Sequence, residues 1–501
     1  MMRFIVDDGI VTPESLVLHN QKLLPISKIP QIKTPPMNPT FNFLPDIKTL
    51  LQGKQLLIDD IPFSISQIHE HYQHGYITYR KGITRVNKSL LCTRCNNSNQ
   101  ALFAAFTCAR CHSHCSYCRK CITMGRVSEC TPLLSWSGPE SPFTPPRTIL
   151  TWNGTLSQAQ QAASDKVVEA INRNNDLLVW AVCGSGKTEI LFHGIEAAIE
   201  AKKKVCLATP RTDVVIELAP RIKESFPDCD VIALYGGSED LTKTSHLTLA
   251  TTHQLLRYYK AFDVIIIDEV DAFPYSVEPM LQHAVDQAKK DISSTTYLTA
   301  TPNKRLQNEI KRGKRTTITI PARYHRNPLP VPTFKWCGNW RKLLTKNRLP
   351  QSIISWSRAH LENNKQAFLF VPKIELLEQI VLLFKKLDSR IEGVHASDPN
   401  RKQKVESFRK GEIPILVTTT ILERGVTVPN IDVAVLGAED QIFTESALVQ
   451  ISGRVGRSAK YPNGEILFYH YGKTKAMQAA KRQIEDMNKE ANNKGLLSPK
   501  K

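Results

Sequence analysis

The 501-residue sequence contains no apolar run as long as the roughly 20 residues that a membrane-spanning helix needs. Its first residues, MMRFIVDDGIVTPESL, lack the basic start, apolar core and small-residue cleavage site of a secretory signal. Acidic residues are in deficit, with 47 Asp and Glu against 66 Lys and Arg, which gives a formal charge of +19. Since the sequence shows neither a membrane-spanning run nor a secretory signal, we expect a cytoplasmic protein. The excess of positive charge favours a polyanionic partner, and nucleic acid is the first candidate. A solubilising charge spread evenly over the surface is the alternative.

The composition is that of a globular protein, with 41% hydrophobic and 23% charged residues. At roughly 150 residues per domain, the length predicts about three domains. No short-period repeat or coiled-coil heptad is present. We predict an N-terminal region of uncertain fold over 1–88, a cysteine-rich module over 89–130, a Pro-, Ser- and Gly-rich linker over 131–150, and two α/β domains over 151–325 and 335–501.

After the predicted linker, short β-branched runs alternate with longer helical stretches, which is typical of a parallel sheet covered by helices on both faces. The strands predicted for the first domain are DLLVWAV, KVCLAT, VIAL, LTLAT, FDVIIID and TTYLTA. Those predicted for the second are QAFLFV, RIEGVH, IPILVT and DVAVLG. Two such domains in tandem are expected to form a cleft between them.

A glycine-rich turn, AVCGSGKT from Ala181 to Thr188, follows an apolar strand and opens a helix. In that context, backbone N–H groups of the turn and of the helix start converge on phosphate oxygens. The residues expected to form this cradle for ATP are Gly184, Ser185 and Gly186. Lys187 would neutralise the β and γ phosphates, and the Thr188 hydroxyl would ligate Mg²⁺. A chance match on a surface loop is the alternative.

Three carboxylates follow the strand FDVIIID, which ends at Asp268 and continues into Glu269, Val270 and Asp271. Asp268 can hold Mg²⁺ through water, and Glu269 can orient or deprotonate the attacking water. Acidic residues at a strand end are also common helix caps, but the glycine-rich turn favours the catalytic interpretation. At the end of a later strand, Thr299-Ala300-Thr301 is predicted to link the nucleotide site to domain movement.

The segment QISGRVGR, from Gln450 to Arg457, matches the Q-x-x-G-R-x-G-R element of superfamily 2 helicases at each defining position. Phosphoryl transfer spreads negative charge over the γ phosphate, which a planar, permanently charged guanidinium stabilises. We therefore predict Arg454 and Arg457 as arginine fingers, with Gln450 at the nucleotide. A basic surface turn is the alternative.

Two further segments resemble helicase elements. TLSQAQ, from Thr155 to Gln160, is similar to the L-T-x-x-Q element whose glutamine contacts adenine, a role that Gln160 would fill, although Gln161 leaves the register open. The segment Val417 to Pro429 resembles motif V, with Thr427 near the position where DEAD-box enzymes have an aspartate. The resemblance implies the fold class α/β, with two tandem RecA-like P-loop NTPase domains, and the cysteine-rich segment before them is expected to form a small N-terminal zinc-binding domain.

Hydroxyl and guanidinium side chains at or just beyond the predicted strands are candidates for contacts with nucleic-acid phosphates. They are Thr209, Arg211, Thr251, Thr252, Thr418 and Thr419. Contacts of this kind position a strand without reading its sequence, so little sequence preference is expected. Each residue could equally cap a helix.

Eight of the 12 cysteines lie between Cys92 and Cys130, and in a reducing cytosol such a cluster indicates metal rather than disulfides. The zinc candidates are Cys92, Cys95, Cys108, Cys111, Cys115, Cys118 and Cys121. The first two C-x-x-C pairs can bring four thiolates to one zinc, although the sequence does not decide which thiols pair. The last three cysteines, with His112 or His114, leave a second site open, and Cys130 is placed at the periphery. Unligated cysteines packed as small hydrophobes are the alternative.

Basic residues lie among these cysteines and make the module a candidate surface for nucleic acid or for a protein partner. They are Arg94, Arg110, Arg119, Lys120 and Arg126, with Tyr117 between them. Charged residues that only solvate a small fold are the alternative.

The combination of CTRC, CARC, CSYCRKC, AVCGSGKTE, DEVDAFP, TATP, LERGVTVP and QISGRVGR resembles the ComFA family, the late competence DNA-uptake ATPases of transformable Gram-positive bacteria. The resemblance spans Cys92 to Arg457. It implies an ATPase stimulated by single-stranded DNA, with ATP, Mg²⁺ and Zn²⁺, which works at the inner face of the cell membrane and draws transforming DNA through the uptake channel. It also implies the competence proteins ComFC and DprA as partners and leaves the oligomeric state open, a homo-oligomer included.

Two other functions are compatible with these motifs. A PriA-like replication-restart helicase also combines zinc with them, and it would unwind forked duplexes efficiently. A zinc-dependent DNA-binding scaffold would use its ATP site as a switch, with no turnover. The presence of Glu269, Arg454 and Arg457 argues against the scaffold.

Overall fold

The computed structural model describes residues 3–17, 22–87, 89–141, 143–238, 245–424 and 426–498. The chain forms two compact units. The first consists of Met1–Asn153, Val168–Asp176 and His193–Tyr297. The second consists of Gly154–Val167, Leu177–Phe192 and Leu298–Lys501. Among the described residues, no helix is both long and apolar enough to cross a membrane.

The N-terminal part of the first unit contains short strands and two helices. In chain order they are β1 Phe4–Asp7, β2 Ile10–Pro13, α1 Pro45–Leu51, β3 Leu56–Leu57, α2 Ile65–Gln73, β4 Ile77–Lys81, β5 Ile83–Val86, β6 Ser89–Cys92, β7 Phe103–Cys108, β8 Ser113–Cys118 and β9 Pro132–Trp136. Strands β1 and β2, β5 and β6, and β7 and β8 form antiparallel pairs, and β3, β9 and β4 form a three-stranded antiparallel sheet. Strand β9 lies within the segment predicted as a linker, and its Leu133 and Leu134 are fully buried, so this stretch belongs to a core.

The N-terminal core joins aromatic and aliphatic side chains from several of these elements, among them Phe4, Tyr72 and Tyr79. The Tyr72 hydroxyl donates to the Lys33 carbonyl over 2.7 Å and accepts from the Val11 N–H over 3.1 Å. The buried ring therefore keeps its polar end satisfied.

The same unit contains a junction between this N-terminal part and the α/β part. The Gln55 N–H donates to the Arg257 carbonyl over 2.7 Å, and the Gln55 side chain donates to the Gln287 side chain over 2.9 Å. The Arg80 guanidinium lies 3.6 Å from the centre of the Tyr259 ring. These contacts join the two parts directly.

The chain continues with α3 Gln158–Asn172, β10 Leu177–Ala181, α4 Lys187–Glu200, β11 Val205–Thr209, α5 Thr212–Ser225, β12 Val231–Leu234, β13 Leu247–Thr251, β14 Phe262–Ile267, α6 Pro279–Ala288, β15 Lys289–Thr299, α7 Lys304–Lys311 and β16 Thr317–Ile320. In the first unit, β12, β13, β11, β14 and β15 lie parallel in that order. Every residue of β11 and β13 is buried, as expected of strands with both faces covered.

The second unit contains the parallel pair β10 and β16 and a six-stranded sheet. The remaining elements are β17 Thr333–Trp336, α8 Trp340–Leu344, α9 Gln351–Glu362, β18 Ala367–Phe370, α10 Ile374–Phe384, β19 Glu392–Val394, α11 Arg401–Arg409, β20 Ile415–Thr418, β21 Asp432–Leu436, α12 Glu445–Ser452, β22 Ile466–His470 and α13 Lys475–Asn493. The sheet order is β17, β22, β21, β18, β20, β19, all parallel.

Successive residues of β18 enter different cores. Phe368 and Phe370 belong to one buried cluster, and Ala367 and Leu369 belong to another. Because side chains alternate across a strand, the sheet has a hydrophobic core on each face. All ten strands predicted from the sequence are confirmed, as β10 to β15 and β18 to β21, whereas β16, β17 and β22 were not predicted.

Candidate nucleotide site and cysteine clusters

The glycine-rich turn lies between β10 and α4, so the strand-to-helix context predicted for it is present. Gly184 and Gly186 have φ values of +81° and +73°, and a Cβ at Gly186 would collide with the Gln160 amide. Glycine is therefore required where the loop is tightest. Ser185 is fully buried, and its Oγ has no hydrogen-bond partner among the described residues. A buried hydroxyl of this kind, at the start of a 14-residue helix, fits a phosphate oxygen.

Gln160 rather than Gln161 lies on this loop. Its Oε1 accepts from the Ser157 N–H and its Nε2 donates to the Ser185 carbonyl, both over 2.9 Å. Gln160 is 5% exposed, whereas the Gln161 side chain is exposed and donates to Asp165. Gln160 is therefore the glutamine that contacts the glycine-rich loop.

The QISGRVGR segment approaches the glycine-rich loop within the second unit. The Cys183 thiol donates to Gln450 Oε1 over 3.1 Å, and a Cβ at Gly453 would lie 2.5 Å from the Cys183 Cβ. Gln450 is 3% exposed, and the structure gives its Nε2 no partner from the described residues. The Gln450 side-chain amide is thus held at the glycine-rich loop, and its Nε2 donates to none of the described residues.

Arg454 is 2% exposed and is bound to the backbone of the segment that resembles motif V. Its Nε donates to the Glu423 carbonyl over 2.9 Å, and its guanidinium also donates to the Val426 carbonyl. Gly425, between them, lies outside the described residues. Arg454, which was predicted as an arginine finger, therefore supports the segment that resembles motif V.

Arg457 is half-buried and less enclosed than Arg454. Its Nε donates to the Gly453 carbonyl over 2.8 Å, and a terminal nitrogen donates to the Thr427 hydroxyl over 3.2 Å. The threonine that replaces the DEAD-box aspartate thus contacts the second finger candidate. Arg457 keeps donors that can turn to a phosphate.

Asp268 and Glu269 lie directly after β14 in the first unit, and both are half-buried. The Asp268 N–H donates to the Ala208 carbonyl, and the Glu269 N–H donates to the Asp268 carboxylate, each over 2.8 Å. Glu269 has a φ of +57°, a conformation that costs a non-glycine residue roughly 1–2 kcal/mol. Strain of this kind concentrates at functional sites.

The Thr299-Ala300-Thr301 segment contacts α12 and α13 within the second unit. The hydroxyls of Thr301 and Ser446 are 2.7 Å apart. The Gln483 amide donates to the Ala300 carbonyl over 2.8 Å. These bonds connect the segment after β15 to the two helices on either side of β22 in the chain.

Most of the predicted phosphate-contacting residues are enclosed. Those buried are Thr209, Thr251, Thr252 and Thr418, and those half-exposed are Arg211 and Thr419. The Thr418 hydroxyl donates to the Val394 carbonyl over 3.1 Å. The Thr418 hydroxyl therefore supports the end of its strand, whereas the buried Thr209 and Thr252 hydroxyls have no hydrogen-bond partner among the described residues. Arg211 and Thr419 are the accessible candidates.

The eight clustered cysteines form two buried groups, in each of which all sulfur atoms lie within 4.8 Å of one another. One group is Cys92, Cys95, Cys118 and Cys121, and the other is Cys108, Cys111, Cys115 and Cys130. The pairing that the sequence left open is therefore not that of the first two C-x-x-C pairs with each other, and Cys130 is a member of a group rather than peripheral. In the second group the fourth position is a thiol, not His112 or His114.

The hairpin β7–β8 explains this pairing. Cys108 at the end of β7 faces Ser113, whereas Cys118 at the end of β8 faces Phe103, so the two cysteines lie at opposite ends of the hairpin. The pair Cys108 and Cys111 therefore stays at the hairpin turn, away from Cys118.

Both groups fit zinc by their chemistry and spacing. A tetrahedron of thiolates with Zn–S bonds of about 2.3 Å has edges of about 3.8 Å. The sulfur separations are 3.9 Å for Cys92 and Cys121, 3.6 Å for Cys95 and Cys118, and 3.8 Å for Cys108 and Cys130. Four cysteines in each group complete a closed site of the structural kind.

Arg94, between Cys92 and Cys95, is 2% exposed and closes the first group. Its guanidinium donates to the carbonyls of Cys121 and Met124 over 2.8 and 2.7 Å, and to the Cys121 sulfur over 3.2 Å. The sequence indicated Arg94 as a surface residue, but the structure makes it an internal support of the cluster.

Comparisons with known proteins cover three parts of the chain. Residues 40–135 match the competence protein ComFA N-terminal domain, 153–304 the type III restriction enzyme res subunit, and 346–459 the helicase conserved C-terminal domain. The chain is 47% identical to competence protein ComFA of Bacillus subtilis, over 90% of this chain and 97% of that protein. It is 39% identical to ComFA of Streptococcus pneumoniae, over 75% of this chain and 86% of that protein. It is 25% identical to the ATP-dependent DNA helicase RecG of S. pneumoniae, over 61% of this chain and 47% of that helicase.

The fold and the matched domains define an ATP-dependent nucleic-acid motor with two RecA-like helicase domains and an N-terminal domain that contains the cysteine clusters. The similarity to the B. subtilis protein extends over nearly its whole length. The chain belongs to the ComFA family of competence proteins.

Proposed function

We propose that this protein hydrolyses ATP in order to translocate on single-stranded DNA, and that it thereby drives the uptake of transforming DNA into the cytoplasm. The observation that carries the proposal is the approach of the QISGRVGR segment to the glycine-rich loop, where the Cys183 thiol lies 3.1 Å from Gln450 Oε1. A phosphate cradle and a pair of guanidinium groups are the two components that phosphoryl transfer needs.

The glycine-rich loop would hold the phosphates of ATP. Backbone N–H groups of Gly184 and Gly186 and the buried Ser185 hydroxyl would donate to phosphate oxygens, and Lys187 would neutralise their charge. Mg²⁺ would be held by Thr188 and Asp268, and when bound it neutralises negative charge on the phosphates. Gln160 would contact adenine while it supports the loop.

Glu269 would orient and deprotonate the attacking water. Arg457 would stabilise the charge that develops on the γ phosphate, because its guanidinium is less enclosed than that of Arg454. Arg454 would hold the motif V segment in place through the carbonyls of Glu423 and Val426. We thus propose a division of roles between the two arginines.

Single-stranded DNA fits the charge of the chain and its helicase domains. The formal charge of +19 favours a polyanion, and contacts with phosphates give little sequence preference. We also propose that each cysteine group binds one structural Zn²⁺. The partners would be ComFC, DprA and the membrane DNA-uptake channel, with the protein peripheral to the inner face of the cell membrane.

The first test is ATP hydrolysis by the full-length protein with single-stranded DNA, duplex DNA and RNA in parallel. We expect the strongest stimulation by single-stranded DNA, and a loss of about 100-fold or more for Lys187→Ala and Glu269→Gln, because each removes a group that acts on the transition state. Lys223→Ala changes an exposed lysine on α5 and should leave the rate unchanged. Hydrolysis by Lys187→Ala at the wild-type rate would contradict the assignment.

Translocation is tested separately by displacement of streptavidin from the end of a biotinylated single strand in the presence of ATP. Displacement that depends on Lys187 supports the proposal. Efficient unwinding of forked duplexes would favour a restart helicase instead, and DNA affinity that changes with nucleotide without turnover would favour a scaffold. Co-purification with ComFC and with DprA, each mixed in equimolar amount, tests the proposed partners.

A further inference from the structure

The segment between β16 and β17 contributes a buried arginine to the nucleotide site. Arg323 is 2% exposed. Its Nε donates to the Cys183 carbonyl in the glycine-rich loop over 3.2 Å, and a terminal nitrogen donates to the Val455 carbonyl over 2.7 Å and also to the Gly456 carbonyl. One guanidinium therefore connects the loop to the turn that immediately precedes Arg457.

His325 donates to the same turn from the same segment. Its Nε2 lies 3.1 Å from the Gly456 carbonyl, which can only accept, so Nε2 carries the proton. Its Nδ1 accepts from the Asn327 N–H over 3.2 Å. The ring is therefore neutral in this arrangement, and Gly456 is held by two donors.

The turn is seated against Arg323 without spare room. Gly456 has a φ of +70°, and a Cβ there would collide with the Pro462 carbonyl and would lie 2.9 Å from a terminal nitrogen of Arg323. Since Arg457 is the next residue, the position of its backbone is set by these contacts.

The charge of Arg323 is held by carbonyl groups, and none of the described residues pairs it with a carboxylate. Burial, together with the neighbouring charge of Arg457, lowers the pKa of Arg323 to about 10. Enclosing a cation beside a second cation is unfavourable. The presence of Arg323 despite this unfavourable burial is best explained by the position that it imposes on the turn before Arg457.

We propose that Arg323 is a positioning residue for phosphoryl transfer, which fixes the Arg457 turn against the glycine-rich loop by bridging the Cys183 carbonyl and the carbonyls of Val455 and Gly456. This inference rests on the proposed ATP hydrolysis. The planar fork of an arginine can bridge two segments in fixed directions, whereas a lysine ammonium keeps the charge but not the fork. Charge and positioning can therefore be separated by substitution.

The test measures the turnover number of ATP hydrolysis with saturating single-stranded DNA, and separately the affinity for a fluorescent ATP analogue, for Arg323→Lys and Arg323→Ala. Misplacing a reacting group by about 1 Å lowers turnover by roughly 100-fold, so we expect losses of about 10- to 100-fold for both variants with nucleotide affinity within about threefold. The matched control is Arg326→Ala. Arg326 lies in the same segment, is exposed, and donates to the carbonyls of Gly495 and Leu496 over 3.1 Å, so its loss should not change turnover.

A double variant links the effect to Arg457. If Arg323 acts only through Arg457, then Arg323→Lys with Arg457→Ala should be no slower than Arg457→Ala alone. Arg323→Lys is used because it retains the buried cation, and its nucleotide affinity reports that the site is folded.

Three results would overturn the proposal: turnover of Arg323→Lys above half of the wild-type value, a larger loss of affinity than of turnover, or effects that multiply in the double variant. If the wild-type protein failed to hydrolyse ATP, the proposed function itself would be wrong. If the wild type hydrolysed ATP and only Arg457→Ala were slow, Arg323 alone would be misassigned.

Discussion

Removing two thiolates from one cysteine group should differ from removing one thiolate from each group. The pair Cys95→Ser and Cys118→Ser changes a single group, so the chain should lose one zinc ion and keep one. The pair Cys95→Ser and Cys108→Ser changes both groups, so both ions should be lost. If the cysteines were grouped in sequence order, Cys95 and Cys108 would share one zinc and Cys118 would belong to the other. Cys95→Ser with Cys118→Ser would then lose both ions, and Cys95→Ser with Cys108→Ser would lose one.

The zinc content of each double variant should fall by whole ions per chain rather than by a fraction of an ion. Structural zinc sites contribute on the order of 10–16 kcal/mol of apparent binding free energy, which is comparable to the roughly 5–15 kcal/mol that stabilises a typical domain. All sulfur atoms of each group already lie within 4.8 Å of one another, so an intact group needs little rearrangement to bind. With two thiolates gone, a group retains half of its ligands and should not hold zinc against a chelator.

The assay is the zinc content of the purified full-length chain, measured by elemental mass spectrometry after dialysis against a mild chelator. The control is Cys229→Ser, which changes a buried cysteine outside both groups and should retain two ions per chain. Loss of both ions from Cys95→Ser with Cys118→Ser would refute the pairing. A wild-type content of one ion would refute the second site.

Two other substitutions test the nucleotide site and the second sheet. Gln160→Ala should raise the KM for ATP by about 30-fold, since two hydrogen bonds of about 1 kcal/mol each are lost, whereas steady-state kinetics of Gln161→Ala should match the wild type. Asp432→Asn should lower the free energy of unfolding by about 3 kcal/mol, because it weakens a buried network with His360 and Lys365. Burial raises the pKa of Asp432, but hydrogen bonds from His360 and Lys365 outweigh it and hold the pKa below its usual value. That stabilisation is present above the unfolded pKa of about 3.9 and is lost as pH falls through the lower folded pKa, so denaturant unfolding between pH 7 and 3 should show this acid loss in the wild type and not in Asp432→Asn.

Local patterns predicted the parts of the fold that depend on neighbours in the sequence. The strand, turn and helix around Gly184 lie within one short stretch, and the ten predicted strands are apolar runs bounded by turn residues. Strand β17 was missed because it is mostly exposed, so its residues show no buried face. Strand β9 was missed because Pro, Ser and Gly surround it, although its own residues are buried.

Contacts between distant residues were beyond the sequence patterns. The six-residue strands β7 and β8 place Cys108 and Cys118 at ends about 17 Å apart, and nothing in the C-x-x-C spacing indicates this. Cys130 joins a group because the chain returns to the hairpin after Cys121. Arg323 had no motif to identify it, since its partners are backbone carbonyls that any residue can supply.

The hydrogen bonds of Gln55 and the stacking of Arg80 on Tyr259 join the N-terminal part, which contains the cysteine groups, directly to the α/β part. Strand β14 begins three residues after Tyr259. A force applied to the N-terminal part would therefore be transmitted through these direct contacts to the acidic residues after β14, rather than being taken up by a flexible linker. Whatever anchors that part in the cell would therefore also fix the orientation of the carboxylates that follow β14.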